Sequence, residues 1–500
     1  MLFQTSCRRF AARPISMPLR AKITNPAMLG NASRNFASAT DIKELPGDEP
    51  DDVVFSNKYG VRTVTLNRPK KLNSLNASMA RKIVPRLQEW EKSQMANVIV
   101  VKGEGRALCA GGDVAALAQA NQTGKEGQQS SKDYFALEYK LDHLIATYPK
   151  PYVAFMDGIT MGGGVGLSVH APFRIATENT VFAMPETTIG FFPDVGASFF
   201  LPRLDGALGT YLALTSEQIK GVNVFYSGIA THYLHSSSLP DLEARLGELH
   251  FKDSATLLER LTIINSTIEE FTTGLPHDQP ISAPVGGLIR GTIDYCFAPQ
   301  RDLDGVLDTL EGVHTGEENE PFIREWAEKT RATILQRSPT SVRVAHEQLR
   351  RGSDWSIAET FRREHAMAGK FMEHPDFVEG VSSLLIRKPR TTPQWQPSEL
   401  SKVSNSQVSA FFNAEPTLEL LSTADYMEYP HAWIGLPRES QVESFVNQKG
   451  NVSKAEVLEH FASTTNGKLG TKEKVSEILN RKAREVNGKL YWGQETEQSI

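Results

Sequence analysis

The chain has 500 residues, 40% hydrophobic and 23% charged, with 37 Gly and 27 Pro, a composition that supports a sizeable core and excludes collagen-like and low-complexity classes. Its three cysteines, Cys7, Cys109 and Cys296, are too few and too scattered for a disulfide framework or a cysteine-rich metal site, and no apolar run of about 18 residues offers a membrane span. The net charge of −5 hides an asymmetry: residues 1–40 carry six basic and no acidic side chains, leaving the remainder at −11, without the basic footprint of a nucleic-acid binder.

Residues 1–36, rich in Arg, Ser and Ala and free of acids, have the composition of a mitochondrial transit peptide. Arg34 stands just ahead of a plausible cut after Phe36; a disordered basic arm is the alternative. Residues 37–52 are an acidic linker interrupted by Pro46 and Pro50. Val53 to Phe55 and Val61 to Leu66 read as strands around a turn, followed by a polar loop from Asn67 to Asn76. Met79, Ile83, Leu87 and Trp90 recur at helical steps in a helix from Ala77 to Glu91, which Pro85 is expected to kink. Val98 to Val101 is a short buried strand. Residues 121–131 are expected to be a flexible polar loop and Ser131 to open a helix to about Thr147. Tyr152 to Met156 is another core strand. A helix opens at the Gly162-Gly163-Gly164 run, and short strands at Arg174 to Ala176 and Val181 to Ala183 lead to a helix expected near Pro193. Strands buried on both faces and alternating with helices make this an α/β region. From about residue 206 the pattern is mostly helical. Beyond residue 400 come an aromatic, proline-bearing loop and two helices, at about Ser440 to Gln448 and Thr471 to Val486, the second of them basic.

The chemistry-bearing candidates are backbone groups first. Gly111-Gly112 follows one apolar strand and Gly162-Gly163-Gly164 follows another. Each run lets the chain turn sharply and leaves amides unpaired; adjacent in space, two such loops aim paired N–H donors at one oxygen. Close helix packing is the bland alternative. There is no GxxxxGK[ST] run, and GGGVG lacks the GxGxxG spacing of a dinucleotide site. Glu186 and Asp194 are carboxylates in apolar surroundings, where burial raises a carboxyl pKa and marks a functional candidate. For Asp194 a helix cap is the competing reading; Glu138, in mid-helix, reads on pattern alone as solvent-facing. His143 and His170 sit near the proposed site without a serine or cysteine partner, and His232 and His235 lie in a turn. No HExxH motif or cysteine pair points to a metal.

Asn67-Arg68-Pro69-Lys70, Leu108-Cys109-Ala110-Gly111-Gly112-Asp113 and the run Gly158 to Gly166 resemble the enoyl-CoA hydratase/isomerase (crotonase) superfamily. The block from Gly158 to Leu204, with SPTSVRVAHEQLRRG and DFVEGVSSLLIRKPRTTPQWQP, is similar to its 3-hydroxyisobutyryl-CoA hydrolase branch. The resemblance implies a crotonase-like spiral of repeated β-β-α units over residues 53–260, a helical part of the same domain over 261–405, and a C-terminal extension over 406–500. It implies oxyanion-hole amides at Gly112 and Gly163, a catalytic Glu186, a second acid at Asp194, a substrate contact at Glu138, and a loop including Lys71 and Leu72 lying along coenzyme A. Hydratases carry another glutamate where this chain has Gly166, so the resemblance implies hydrolysis of an acyl-CoA thioester of valine breakdown in the mitochondrial matrix, rather than hydration. No metal or redox cofactor is implied, because coenzyme A arrives with the substrate, and no membrane partner. Fungal members of the branch are incorporated in the small subunit of the mitochondrial ribosome, which makes a structural role there the alternative function. The extension is then the expected docking element for ribosomal protein or rRNA, with packing over its own core as the competing reading. Relatives often form trimers, so a homo-oligomer stays open.

Overall fold

The computed structural model describes residues 42–272, 274–275 and 280–493; the transit-peptide assignment for residues 1–36 lies outside them. In chain order the first ten strands are β1 (Val53–Lys58), β2 (Val61–Leu66), β3 (Val98–Gly103), β4 (Ala107–Ala110), β5 (Tyr152–Met156), β6 (Ile159–Met161), β7 (Phe173–Ala176), β8 (Val181–Ala183), β9 (Ile219–Lys220) and β10 (His232–Tyr233). They divide between two sheets, ordered β1-β2-β3-β5-β7-β10 and β4-β6-β8-β9. Apart from the antiparallel pairs β1–β2 and β8–β9, neighbours run parallel. Each turn of the chain thus lays one strand in the large sheet and the next in the small one: β3 then β4, β5 then β6, β7 then β8. Repetition of that unit is the expected spiral.

Side-chain alternation explains why the large sheet is covered on both faces. Ile99, Val101, Ala154 and Met156 join the core beneath the helix Ala77–Lys92, and Val98, Val100, Val153 and Phe155 pack on the other side with Leu242, Leu246 and Ile264. Strand ends of the small sheet, β4, β6 and β8, deliver the glycine loops and Glu186 to one place.

Several expected elements differ. The helix Ala77–Lys92 runs unbroken through Pro85. The stretch taken as a flexible loop over 121–131 is largely helical, because one helix spans Lys125–Ala146. Its first turns are tied down by the buried Ser131 hydroxyl, which donates to Asn121 Oδ1 (2.7 Å). No helix begins at Pro193; a 3-10 turn spans Glu186–Ile189 and a short helix spans Ala197–Phe200.

The C-terminal region contains helices Glu439–Lys449, Lys454–Thr464 and Thr471–Lys482, then a hairpin of β11 (Ala483–Val486) and β12 (Lys489–Trp492). The last helix therefore ends before the expected Val486, where Asn487 (φ 51°) and Gly488 (φ 75°) supply the left-handed pair of a tight hairpin turn. Its cations are largely used inside the molecule. Lys474 pairs with Asp205 (2.8 Å), Arg481 with Asp294 (2.8 Å) and Glu439 (2.9 Å), and Lys482 with Asp294 (2.8 Å). The aromatic loop also turns inward, with Tyr426 and Tyr429 stacked edge-on against Phe199. Among the described residues no helix is long and apolar enough to cross a membrane.

Candidate active site

The loop after β2 and the end of β4 run side by side. Ala110 N donates to Leu72 O (3.0 Å), Leu75 N to Gly111 O (2.8 Å) and Asp113 N to Leu75 O (2.8 Å). Gly112 lies between the last two bonds, so in this parallel pairing its own N–H faces the opposite way. Gly163 is the first residue of the helix Gly163–Val169, where amides have no helical partner. Among the described residues neither the Gly112 nor the Gly163 N–H donates a hydrogen bond. Gly111 (φ 102°) and Gly162 (φ 45°) hold backbone conformations that other residues rarely adopt. The two loops touch: a methyl group built on Gly163 would stand 3.5 Å from Gly112 N and 2.6 Å from Glu138 Oε1.

Glu186 enters from the end of β8. A methyl group on Gly162 would stand 3.2 Å from Glu186 Oε1, while the buried Oε2 has no hydrogen-bond partner. Burial, then the neighbouring Asp194, hold the Glu186 pKa well above the ordinary carboxyl range. Glu138 is raised for the same two reasons, and Asp194 is raised by burial. The Tyr139 hydroxyl donates to Asp194 Oδ2 (2.7 Å), favouring that carboxylate. The structure thus brings Gly112, Gly163, Glu138, Glu186 and Asp194 together: two free amides beside three carboxyl groups that cannot all be charged at once.

Asp194 is not a helix cap. The short helix Ala197–Phe200 has Gly196 at its cap position, and the Gly196 and Ser198 amides donate to Glu364 (2.7 and 2.9 Å). Burial pushes Glu364 up to about 8 despite these donors. Next to Asp194, Val195 carries the unusual φ of 52°, and its carbonyl meets His170 Nε2 (2.8 Å). A branched residue there is strained, and the His170 contact helps hold the turn that presents Asp194.

Asp142 is the residue that sequence reasoning missed. It is fully buried, neither oxygen has a partner, and its carboxylate occupies the space a side chain at Gly166 would need, 2.6 Å from a methyl built there. A second acid at position 166 has no room, yet an acid reaches the same space from the helix Lys125–Ala146. Its signal was the i, i+4 spacing from Glu138 on one helical face. Burial, then Glu138, raise its pKa well above the usual range, so the neutral acid prevails. The unfolded chain releases this proton above about pH 4 while the fold retains it, so the residue costs stability as pH rises. Asp142→Asn is expected to unfold at a higher temperature than the parent by a margin that widens from pH 5 to pH 8. Thermal denaturation across that range checks it; a margin that shrinks with pH contradicts it.

The remaining candidates divide. Lys71 ends the 3-10 turn Pro69–Lys71, is exposed, and reaches Asp113 Oδ2 (3.2 Å); Leu72 is left-handed (φ 52°), its carbonyl bonded to the strand end that carries Gly112. His143 is buried without a partner and is lowered to about 4 by burial, as is His170. Burial pushes the Cys109 thiol up to about 12, so it is no nucleophile.

Comparison with known proteins places these features in context. The family model described as enoyl-CoA hydratase/isomerase matches residues 61–412. A relative in Neurospora crassa, "small ribosomal subunit protein mS47", is 53% identical over 482 residues, covering 95% of this chain and 93% of that protein. A protein of the same name in Schizosaccharomyces pombe is 40% identical, covering 79% and 85%. The mitochondrial 3-hydroxyisobutyryl-CoA hydrolase of Gallus gallus is 41% identical, covering 73% and 89%. Among solved structures, a carnitinyl-CoA dehydratase from Mycobacterium thermoresistibile is 30% identical with a TM-score of 0.63, covering 75% of this chain and 100% of that one.

Proposed function

The chain belongs to the enoyl-CoA hydratase/isomerase family, and on that footing we propose that it is a constituent of the small subunit of the mitochondrial ribosome that retains a thioester-hydrolysing site. The observation that carries the ribosomal reading is the extent of likeness to the Neurospora protein. It takes in 95% of the chain, whereas the likeness to the chicken hydrolase takes in 73% and the family model ends at residue 412. The C-terminal helices and hairpin are therefore shared most fully with a relative named as a ribosomal protein. The acidic balance of residues 41–500 argues for a local attachment, because a coat of basic residues is what broad rRNA contact requires.

Retained hydrolysis rests on the site. The thioester carbonyl of 3-hydroxyisobutyryl-CoA accepts hydrogen bonds from the Gly112 and Gly163 amides, each worth about 3 kcal/mol as the oxygen becomes negative. Glu186, ionised, either attacks the carbonyl carbon or takes a proton from the attacking water. A C–O bond forms, the C–S bond breaks, and the coenzyme A sulfur leaves with a proton from the neighbouring acids. Water supplies the oxygen of the product in either route. Glu138 and Asp194 hold the substrate hydroxyl, which lets the site reject an acyl group lacking it. Lys71 and Leu72 flank the coenzyme A arm.

Sedimentation of a mitochondrial extract on a sucrose gradient tests the ribosomal reading. The chain is expected in the small-subunit fractions; a chain confined to the top of the gradient refutes it.

A further inference from the structure

At the far end of the helix Gly163–Val169 from the free Gly163 amide, about 10 Å along its axis at 1.5 Å per residue, a recess opens between the core and the C-terminal region. Its lining includes Val169, Arg174, Arg203, Tyr429, His431 and Arg438, and its volume is about 60 Å³. Its charges do not balance. Arg174 donates to the carbonyls of Ile229 (2.6 Å) and Ala171 (2.7 Å), and among the described residues no carboxylate pairs with it. Arg203 stacks on Phe199 (3.8 Å), its two terminal nitrogens donate to the carbonyls of Phe199, Gly352, Ser353, Trp355 and Met427, and its buried Nε has no hydrogen-bond partner. For Arg203 and Arg438 the nearest acid is one residue, Glu428, at 3.6 and 3.9 Å, and that side chain is 69% exposed. Lys474 and Asp205, on the same wall, neutralise each other (2.8 Å). Two of the three guanidinium groups therefore share a single solvent-facing carboxylate, and Arg174 has none.

A cation withdrawn from water without a counter-charge is costly, and burial, with a smaller contribution from nearby Arg438, pulls Arg174 down to about 10. The recess also holds a buried imidazole whose Nε2 has no partner, His431, kept neutral by burial and then by Arg174. Neutral imidazole offers one donor and one acceptor. Arginine forks match the oxygens of a phosphate group better than any other side chain.

We propose that this recess is a binding site for a phosphate group, either inorganic phosphate or the monoester of a small phosphorylated molecule, held by Arg174, Arg203, Arg438 and His431. The site is separate from the thioester site, and the proposal stands independently of hydrolysis or ribosome binding. Titration calorimetry of the purified chain with inorganic phosphate and with glycerol 3-phosphate, at ionic strength matched with chloride, tests it. The expected dissociation constant is on the order of 1 mM or tighter for at least one of them; the tighter of the two identifies the source. Arg438→Gln, at a side chain about one-third exposed, is expected to weaken that binding at least about tenfold while the fold is kept, and Lys402→Gln, outside the recess, to leave it unchanged. Binding no stronger than that of chloride, or equal binding in folded Arg438→Gln, overturns the proposal.

Discussion

Glu186→Gln is expected to lower turnover of 3-hydroxyisobutyryl-CoA by at least about a hundredfold, the lower bound for loss of a positioned acid–base group, while coenzyme A binding persists. The substitution keeps shape and removes the ability to ionise. Both chemical routes open to Glu186 need the carboxylate: a neutral amide neither attacks the carbonyl nor accepts a proton from water. Binding is expected to persist because Lys71 and Leu72, the residues proposed to flank the coenzyme A arm, are on the loop after β2 and do not depend on Glu186. The raised Glu186 pKa adds a signature. Since the ionised form acts, the parent's rate climbs with pH well above the range of an ordinary carboxyl group, and the residual rate of the variant loses that dependence. Initial-rate kinetics with a thiol reagent read both. A variant within a few-fold of the parent removes Glu186 from the mechanism.

Gly163→Ala carries the second large expectation, a loss of about a hundred- to a thousandfold in turnover, as for removal of one oxyanion donor. The added methyl group would stand 2.6 Å from Glu138 Oε1 and 3.5 Å from Gly112 N. That places it beside the Gly112 amide, where the proposed mechanism seats the thioester oxygen. Glu138 cannot retreat easily, being buried among Tyr134, Tyr139 and Asp142 on its own helix. The backbone itself tolerates alanine, because Gly163 is an ordinary first helical residue and the special conformation belongs to Gly162. The variant is therefore expected to fold, with near-parental circular dichroism, and to fail in catalysis. Parental turnover would mean that the oxyanion is held elsewhere.

The parts of this site legible in the sequence were those whose physics is local. Gly111-Gly112 and Gly162-Gly163-Gly164 announce sharp turns after apolar strands, and Glu186 is the one charged residue in the largely apolar run from Val181 to Phe192. Asp142 and Glu364 are harder to read: beyond the i, i+4 spacing of Asp142 from Glu138, neither helix has a pattern that separates a buried acid from a solvated one. The Lys125 start of the long helix was missed because its first turns are polar; a buried Ser131–Asn121 contact, invisible in composition, fixes them. The closing hairpin was readable, since Asn487-Gly488 between alternating residues is a strong turn signal, but it was absorbed into a helix reading. Charge misled most. The basic helix Thr471–Lys482 looked like a docking surface, and only the fold reveals that Asp205 and Asp294, far upstream, take up Lys474, Arg481 and Lys482.

The retained site and the ribosomal assignment meet in one assay: thiol release from 3-hydroxyisobutyryl-CoA by small subunits purified on a gradient, from cells carrying either the parent chain or Glu186→Gln. The account predicts that both chains sediment with the subunit and that release, clear in the first preparation, is lost in the second. Equal release from both, or none from parental subunits shown to contain the folded chain, would contradict it.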